Sequence, residues 1–234
     1  RMMDIAARSL KVKRTVITKL MDEGLYPYTK RYLGSFDNHF STIGLVGMNE
    51  AGLNANWLRA DMTRPETQEF TKEVLNHMRE RLSDYQEQYG DLYNLEATPA
   101  EGTSYSLARL DKKRYPDIIT AGKEEPYYTN SSQLPVGFTD DIFETLDLQD
   151  ELQCKYTGGT VLHLYLGEQI RDVVVFDKGA GLLVEFLELL DPLGGQGVVT
   201  GHAAAHGELG VRIFGPEDGH GPRRFHLDAQ GLQI

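Results

Sequence analysis

The regular alternation of helical and strand patterns along the first 170 residues limits the possible folds of this chain more than any other feature. Four segments repeat apolar residues at three- and four-residue steps, which predicts helices at 2–23, 64–89, 99–111 and 140–153. Four short apolar or β-branched runs between them predict strands at 40–48, 92–97, 127–129 and 160–166. This order predicts an α/β fold with parallel strands.

Local residues predict how the helices begin and which side faces the core. Thr63 and Glu66 have the spacing of a capping box at the start of the second helix, and Thr139 is the expected cap of the fourth. In the third helix, Leu107, Ala108 and Leu110 are expected to point inward.

Composition and charge exclude several classes of protein. The formal net charge of -11 argues against a dedicated nucleic-acid binder, although a few amides and cations can still hold a phosphate locally. No run of eighteen apolar residues is present, so no membrane span is expected. The single cysteine, Cys154, cannot form an internal disulfide or a zinc cluster, which predicts a cytoplasmic, reducing environment.

The character of the sequence changes after Ile170. All 12 tyrosines precede residue 171, whereas half of the 24 glycines follow it. We therefore divide the chain into 1–170 and an unassigned tail, 171–234, which is expected to be irregular and Gly-rich. The tail is either a Gly-rich domain or linker, or a frame-shifted or foreign reading, and the second is our hypothesis. His202 and His206 have metal-ligand spacing, but the adjacent glycines disfavour a helix there, and no metal site is predicted.

The turn at residues 98–104, Thr-Pro-Ala-Glu-Gly-Thr-Ser, is the best phosphate-binding candidate. It follows a predicted strand and opens a predicted helix, where free N–H groups and the helix dipole favour an anion. The candidate binding residues are Thr98, Ala100, Glu101, Gly102, Thr103 and Ser104. The alternative is a plain capping box, with Pro99 at the first helical position, in which Thr98 and Glu101 consume the free donors.

Two further polar groups follow predicted strands. Asn49 and Glu50 end the run 40–48, where the active sites of α/β barrels gather, but they would equally suit a helix N-cap and its first turn. Asn130 belongs to a polar run after residue 129, which is expected either to contact base or ribose or to stabilise the turn that follows.

Four blocks of sequence, in order, resemble the anaerobic ribonucleotide reductases. Residues 38–51 read Asn-His-Phe-Ser-Thr-Ile-Gly-Leu-Val-Gly-Met-Asn-Glu-Ala, and residues 94–105 read Asn-Leu-Glu-Ala-Thr-Pro-Ala-Glu-Gly-Thr-Ser-Tyr. Residues 127–136 read Tyr-Tyr-Thr-Asn-Ser-Ser-Gln-Leu-Pro-Val, and residues 149–161 read Gln-Asp-Glu-Leu-Gln-Cys-Lys-Tyr-Thr-Gly-Gly-Thr-Val. The resemblance covers about residues 1–170.

The resemblance implies a fold and a chemistry. The fold would be the second half of a ten-stranded α/β barrel of the glycyl-radical type. The 98–104 turn would hold the substrate phosphates. The family uses a glycyl radical made by an S-adenosylmethionine-dependent iron–sulfur activase, a four-cysteine structural zinc site, and ATP or deoxynucleotide effectors, and it acts as a homodimer. No radical residue or zinc ligand can be carried over, so no catalytic residue is predicted. Position 52 is Gly, where many relatives have Cys.

Three functions remain open from the sequence. The first is a fragment of an enzyme that reduces ribonucleoside triphosphates to deoxyribonucleoside triphosphates by radical chemistry. The second is a nucleotide-binding fragment, or a truncated product, without catalytic activity. The third is a different glycyl-radical enzyme acting on small acids, which the nucleotide-like turn disfavours.

Overall fold

A computed structural model describes residues 1–97, 99–139, 141–165, 198–203 and 208–214. Its helices are α1 (Met2–Asp22), α2 (Pro27–Leu33), α3 (Met48–Asn54), α4 (Pro65–Tyr89), α5 (Glu101–Arg114) and α6 (Ile142–Gln153). Its strands are β1 (Ser41–Ile43), β2 (Tyr93–Leu95), β3 (Gly159–Tyr165), β4 (Val198–Ala203) and β5 (Glu208–Phe214). None of these six helices combines the length and the hydrophobicity needed to cross a bilayer.

The strands form two separate sheets in the described part of the chain. β1 and β2 are parallel, with Thr42 opposite Asn94, as the alternating pattern predicts. β3 is antiparallel to β5, which is antiparallel to β4, so the expectation that all strands are parallel is wrong for β3. Two individual hydrogen bonds place the start of β3 beside β2: Ala97 N donates to Gly159 O at 2.9 Å, and Gly158 N donates to Leu95 O at 2.8 Å.

The main core lies between the β1–β2 pair and the helices α1 and α4. Leu75 on α4 and Leu95 on β2 are fully buried there. A side chain of this kind stabilises the fold by roughly 1.5–3 kcal/mol when it leaves water. Asp4 joins the two helices, because its Oδ1 accepts hydrogen bonds of 2.6 Å from both Tyr85 and Arg81. The first half of the chain therefore has one continuous core.

Two predicted helix caps are wrong. The N-cap of α4 is Arg64, with Pro65 at the first helical position, and the Thr63 hydroxyl donates to Asp61 instead. The cap of α6 is Asp141, whose Oδ1 accepts from Phe143 N at 2.9 Å. A carboxylate suits a helix N-terminus better than a hydroxyl, because it also meets the positive end of the helix dipole.

The predicted inward face of α5 is confirmed for Ala108 and wrong for the two leucines. Ala108 is fully buried, whereas Leu107 and Leu110 are 44% and 60% exposed. Ser104 is buried one turn before Ala108, and residues four apart share a face of a helix. The small residues therefore face the protein, and this allows α5 to approach it closely.

Three predicted strands are shorter or absent, and β2 covers only Tyr93–Leu95 of the predicted 92–97. β1 stops at Ile43, and Gly47, with φ +83°, is the N-cap residue of α3, so the predicted run 40–48 does not continue as a strand. The predicted strand 127–129 is represented only by isolated bridges, Val46 with Asn130 and Ala121 with Tyr127.

The expectation of an irregular tail is wrong for residues 198–203 and 208–214, which form β4 and β5. These segments contain the β-branched and aromatic residues that favour strands. The other tail residues, including the apolar runs 173–176 and 182–190, lie outside the described residues. Whether 171–234 is a frame-shifted reading stays a prediction, tested by whether another coding frame after codon 170 encodes a four-cysteine cluster and a radical segment.

Gly52 in α3 provides a test of close backbone packing. A Cβ there would lie 2.4 Å from Ala60 O and 2.6 Å from Thr67 Cγ2. We expect Gly52→Ala to lower the free energy of unfolding by about 1–3 kcal/mol, measured by urea denaturation. Gly102→Ala in α5 is the matched control, because nothing lies within 4 Å of its added Cβ. Equal stabilities of the two variants would contradict this packing.

Candidate functional site

The site is built around a buried carboxylate on α3. Glu50 is 1% exposed, and its neighbour Asn49 is 3% exposed. Glu50 Oε2 accepts from Thr129 N at 2.9 Å, while Oε1 accepts from the Thr129 hydroxyl at 2.7 Å and from Asn49 Nδ2 at 2.9 Å. Asn49 Oδ1 in turn accepts from Met62 N at 2.9 Å. These two residues are therefore bonded to protein groups and lie beneath the surface.

The residues 127–133, here called the polar loop, lie across the start of α3. Thr129 O accepts from Gly47 N at 2.8 Å, and Ser131 O accepts from Met48 N at 3.2 Å. A Cβ on Gly47 would lie 3.3 Å from the Tyr128 side chain, so a glycine is suited to this position by contact as well as by its positive φ. The polar loop is thus held by backbone as well as side-chain bonds.

The polar loop also contacts the first turn of α5. Asn130 Oδ1 accepts from Ala100 N at 3.0 Å, and Ala100 is the N-cap residue of α5. The Ser104 hydroxyl donates to Tyr128 O and accepts from Tyr128 N at 3.0 Å. The side chain of Ser104 therefore faces the protein, although it was predicted as a phosphate donor.

The opening of α5 leaves backbone donors at the surface. The first helical bond is Ser104 N to Ala100 O, so the N–H groups of Glu101, Gly102 and Thr103 have no acceptor within the helix. Gly102 and Thr103 are exposed. Thr98 and the Glu101 side chain lie outside the described part of the structure.

The residue at which α5 begins bears on the capping-box alternative for the turn at 98–104. α5 begins at Glu101 with Ala100 as N-cap, so the prediction of Pro99 at the first helical position is wrong. A capping box needs its hydroxyl residue at the N-cap, and Thr98 precedes that position by two residues. The positive end of the helix dipole therefore lies at 100–103, and Lys112, Lys113 and Arg114 match the negative end.

A cavity of about 230 Å³ lies between the polar loop, α5 and α6. The cavity is lined by Ser104, which belongs to the first turn of α5, and by Asn130, which accepts from Ala100 N. The remaining lining is mostly aromatic and apolar: Tyr127, Tyr128, Thr129, Gln133, Leu134, Pro135, Val136, Gly137, Phe138, Thr139 and Thr145. Val136 is 50% exposed and Phe138 is 41% exposed, so the cavity offers uncovered apolar surface to a ligand.

The tyrosines around this cavity remain protonated at neutral pH. Burial raises the pKa of Tyr128, and its hydrogen bond of 2.7 Å to Asp111 Oδ2 raises it further. Burial also raises the pKa of Tyr127, with a contribution from the negative charge of Glu50. Under the polar loop, Tyr156 bonds Ser132 at 2.8 Å, and burial raises the pKa of Tyr156 to about 12. Their hydroxyls can therefore act as hydrogen-bond donors.

The structure brings most of the predicted residues into one region. Asn49, Glu50, Asn130, Ala100 and Ser104 are joined through hydrogen bonds, and Gly102 and Thr103 lie on the exposed side of the same turn. No group of three or more metal-ligating side chains is found among the residues with described positions.

Sequence reasoning missed several residues of the region. The polar contacts that were missed are buried for Ser132 with Tyr156 and Gln149, and partly buried for Tyr128 with Asp111. Their contacts join different elements across irregular loops, so no periodic pattern predicts them. The one available signal was the polar run 129–133, which is too polar for a buried segment unless its groups are bonded.

Comparisons with known proteins agree on one family. A family model described as anaerobic ribonucleoside-triphosphate reductase matches residues 1–180. A curated protein of that name from Haemophilus influenzae is 25% identical over 123 residues, which is 52% of this chain and 17% of that protein.

Solved structures show the same fold. The anaerobic ribonucleotide reductase from Thermotoga maritima with glycerol in its active site matches with a TM-score of 0.54 and 22% identity, over 66% of this chain and 25% of that one. The same enzyme in complex with dATP and CTP matches with a TM-score of 0.53 and 23% identity, over 66% and 26%. This chain therefore spans about a quarter of the length of these structures.

The bonds of Ser104 predict a contrast between adjacent positions. Ser104→Ala leaves the N–H and C=O of Tyr128 without their side-chain partner, and we expect it to cost about 1–3 kcal/mol of stability. Thr103→Ala is the control, because Thr103 is exposed, and should change stability by no more than about 0.5 kcal/mol. Urea denaturation measures both, and a Ser104→Ala protein as stable as the wild type would contradict the assignment.

Proposed function

The chain belongs to the anaerobic ribonucleoside-triphosphate reductase family, and we propose that it supplies the part of such an enzyme that binds the ribonucleoside triphosphate. The intact enzyme would reduce that substrate to the deoxyribonucleoside triphosphate by radical chemistry. The observation that carries this proposal is the hydrogen bond between Asn130 Oδ1 and Ala100 N, which joins the first turn of α5 to the cavity of the polar loop.

The phosphates are proposed to bind at residues 98–104. The N–H groups of Glu101, Gly102 and Thr103 converge at the positive end of α5, which is the arrangement that binds anions. Gly102 has open space around it, so a phosphate can approach the backbone closely. The Thr103 hydroxyl, together with that of Thr98, would add side-chain donors. The Ser104 backbone belongs to the site, while its side chain fixes the turn against Tyr128.

The nucleoside is proposed to occupy the cavity of the polar loop. Asn130 uses its Oδ1 for Ala100 N, and its amide Nδ2 provides a donor for a ribose hydroxyl or a base carbonyl. Tyr127, Phe138 and the neighbouring apolar side chains provide a surface for the base. Asn49 and Glu50 belong to the site as predicted residues, and their burial beneath the polar loop favours a supporting role over contact with the ligand.

The radical chemistry is proposed to reside outside this chain. By family, a separate iron–sulfur activase using S-adenosylmethionine would generate a glycyl radical, a zinc site would stabilise the radical domain, and ATP or deoxynucleotides would act as effectors on a cytoplasmic homodimer. Cys154, the one cysteine of this sequence, follows α6 and is exposed, which does not suit a radical-bearing residue inside a barrel.

The second candidate, a nucleotide-binding fragment without catalytic activity, is favoured for the isolated chain by this position of Cys154. We expect the purified chain, incubated anaerobically with the activase, to show neither reduction of CTP nor a glycyl-radical signal in electron paramagnetic resonance. Turnover, or such a signal, would contradict this division of roles.

The phosphate site is tested by changing the charge at Gly102. Gly102→Asp places a carboxylate at the proposed phosphate position, and we expect it to weaken CTP binding at least about tenfold, or about 1.4 kcal/mol, in calorimetric titrations. Gly102→Asn is the matched control, because it adds a side chain of the same size without the charge, and should bind CTP more tightly than Gly102→Asp. Equal affinities of the wild type and a folded Gly102→Asp protein would rule out this site.

A further inference from the structure

We propose that Glu50 is a positioning residue, which fixes the N-terminus of α5 through Thr129 and Asn130 without touching the ligand. The identity of the ligand in this inference rests on the proposed function. The coupling of Glu50 to Thr129 and Asn130 does not, because it depends only on bonds within the protein. In this role Glu50 does not contact the ligand. Its bonds to Thr129 begin a series of contacts that ends with the bond from Ala100 N to Asn130.

The first step is the state of the Glu50 side chain. It is almost completely inaccessible, and the three groups bonded to its oxygens all donate: the N–H and hydroxyl of Thr129 and the amide of Asn49. The two oxygens of a carboxyl group can accept all three bonds at once, so the side chain of Glu50 is held at both oxygens. Glu50 and Thr129 are bonded directly at two places, so the orientation of one determines that of the other.

The second step is the rigidity of Thr129. Three of its atoms are bonded: N and Oγ1 to Glu50, and O to Gly47 N at 2.8 Å. Thr129 is itself only 4% exposed. A residue held at both backbone polar atoms and at its side chain cannot rotate independently, so the direction in which the following residue leaves is fixed as well.

The third step passes from Asn130 to α5. The backbone of Asn130 pairs with Val46, and its Oδ1 accepts from Ala100 N at 3.0 Å. In a capping box the side chain at the third helical position accepts from the N-cap N–H; that position is Thr103 here, and Asn130 makes this bond from the polar loop instead. A displacement of Asn130 would therefore move the turn at which the N–H groups of Gly102 and Thr103 are presented.

If Glu50 served only to attach the polar loop to α3, its carboxylate would not be needed. Two backbone bonds, Gly47 N to Thr129 O and Met48 N to Ser131 O, already attach the polar loop to α3. Burying a carboxylate is costly, and an apolar side chain of similar volume often stabilises a fold equally well. What the carboxylate adds is a defined orientation of Thr129, which matters only if the position of the next residue matters.

The coupling is tested by amide hydrogen exchange in the full chain. We expect Glu50→Gln and Thr129→Val to increase the exchange rate of the Ala100 amide at least about tenfold more than that of amides in the middle of α4, which report any loss of global stability. Thr129→Ser retains the hydroxyl and should restore the slow exchange at Ala100. Thr129→Val keeps the test decisive if Glu50→Gln does not fold. Unchanged exchange at Ala100, or an equal increase at Ala100 and in α4, would overturn the inference.

A titration with CTP separates this inference from the proposed function. If both hold, wild type and Thr129→Ser bind CTP, and Thr129→Val, titrated at a temperature at which it remains folded, binds it at least about fivefold more weakly. If the wild type does not bind CTP but Ala100 exchange responds as expected, the proposed function fails and the positioning role stands. If wild type and Thr129→Val bind CTP equally, Glu50 does not position the site, and the inference is overturned.

Discussion

The paired hydrogen bonds between the Glu50 carboxylate and Thr129 determine how the remaining parts of the site are arranged. A buried carboxylate is stable only where neighbouring groups replace the water it has lost, and here the N–H and hydroxyl of Thr129 do so, together with Asn49. These bonds join α3 to a segment 79 positions further along the chain. They therefore bring together two regions that share no secondary structure.

Around the polar loop and the first turn of α5, some polar groups face the protein and others face solvent. Ser104 and Asn130 bond the polar loop to α5 from the inside, whereas Gly102 and Thr103 leave their backbone N–H groups on the exposed side of the same turn. Small residues make this possible, since Gly47, Ala100 and Ala108 allow backbones to approach closely. A phosphate site of the proposed kind would bind mainly through backbone donors and depend on side chains for their placement.

The sequence predicted the long elements and the family but not the contacts between elements. α1 and α4 match their predictions, because long apolar periodicity and flanking glycines indicate such elements clearly, and β2 is present but shorter than predicted. The cap at Asp141 and the shift of the α5 start to Glu101 were missed, because several adjacent residues are competent caps and tertiary bonds select among them. The inward orientation of Ser104, instead of Leu107, follows from Tyr128, a partner 24 residues away that no local pattern identifies.

The central claim is that a ribonucleoside triphosphate binds with its phosphates at the first turn of α5 and its nucleoside against Asn130. Amide chemical-shift changes on addition of CTP to the ¹⁵N-labelled chain test this most directly. The account predicts the largest changes at the backbone amides of Gly102 and Thr103 and at the side-chain amide of Asn130, with inorganic triphosphate reproducing only the first two. The absence of changes at residues 101–104, with shifts confined to other parts of the chain, would contradict it.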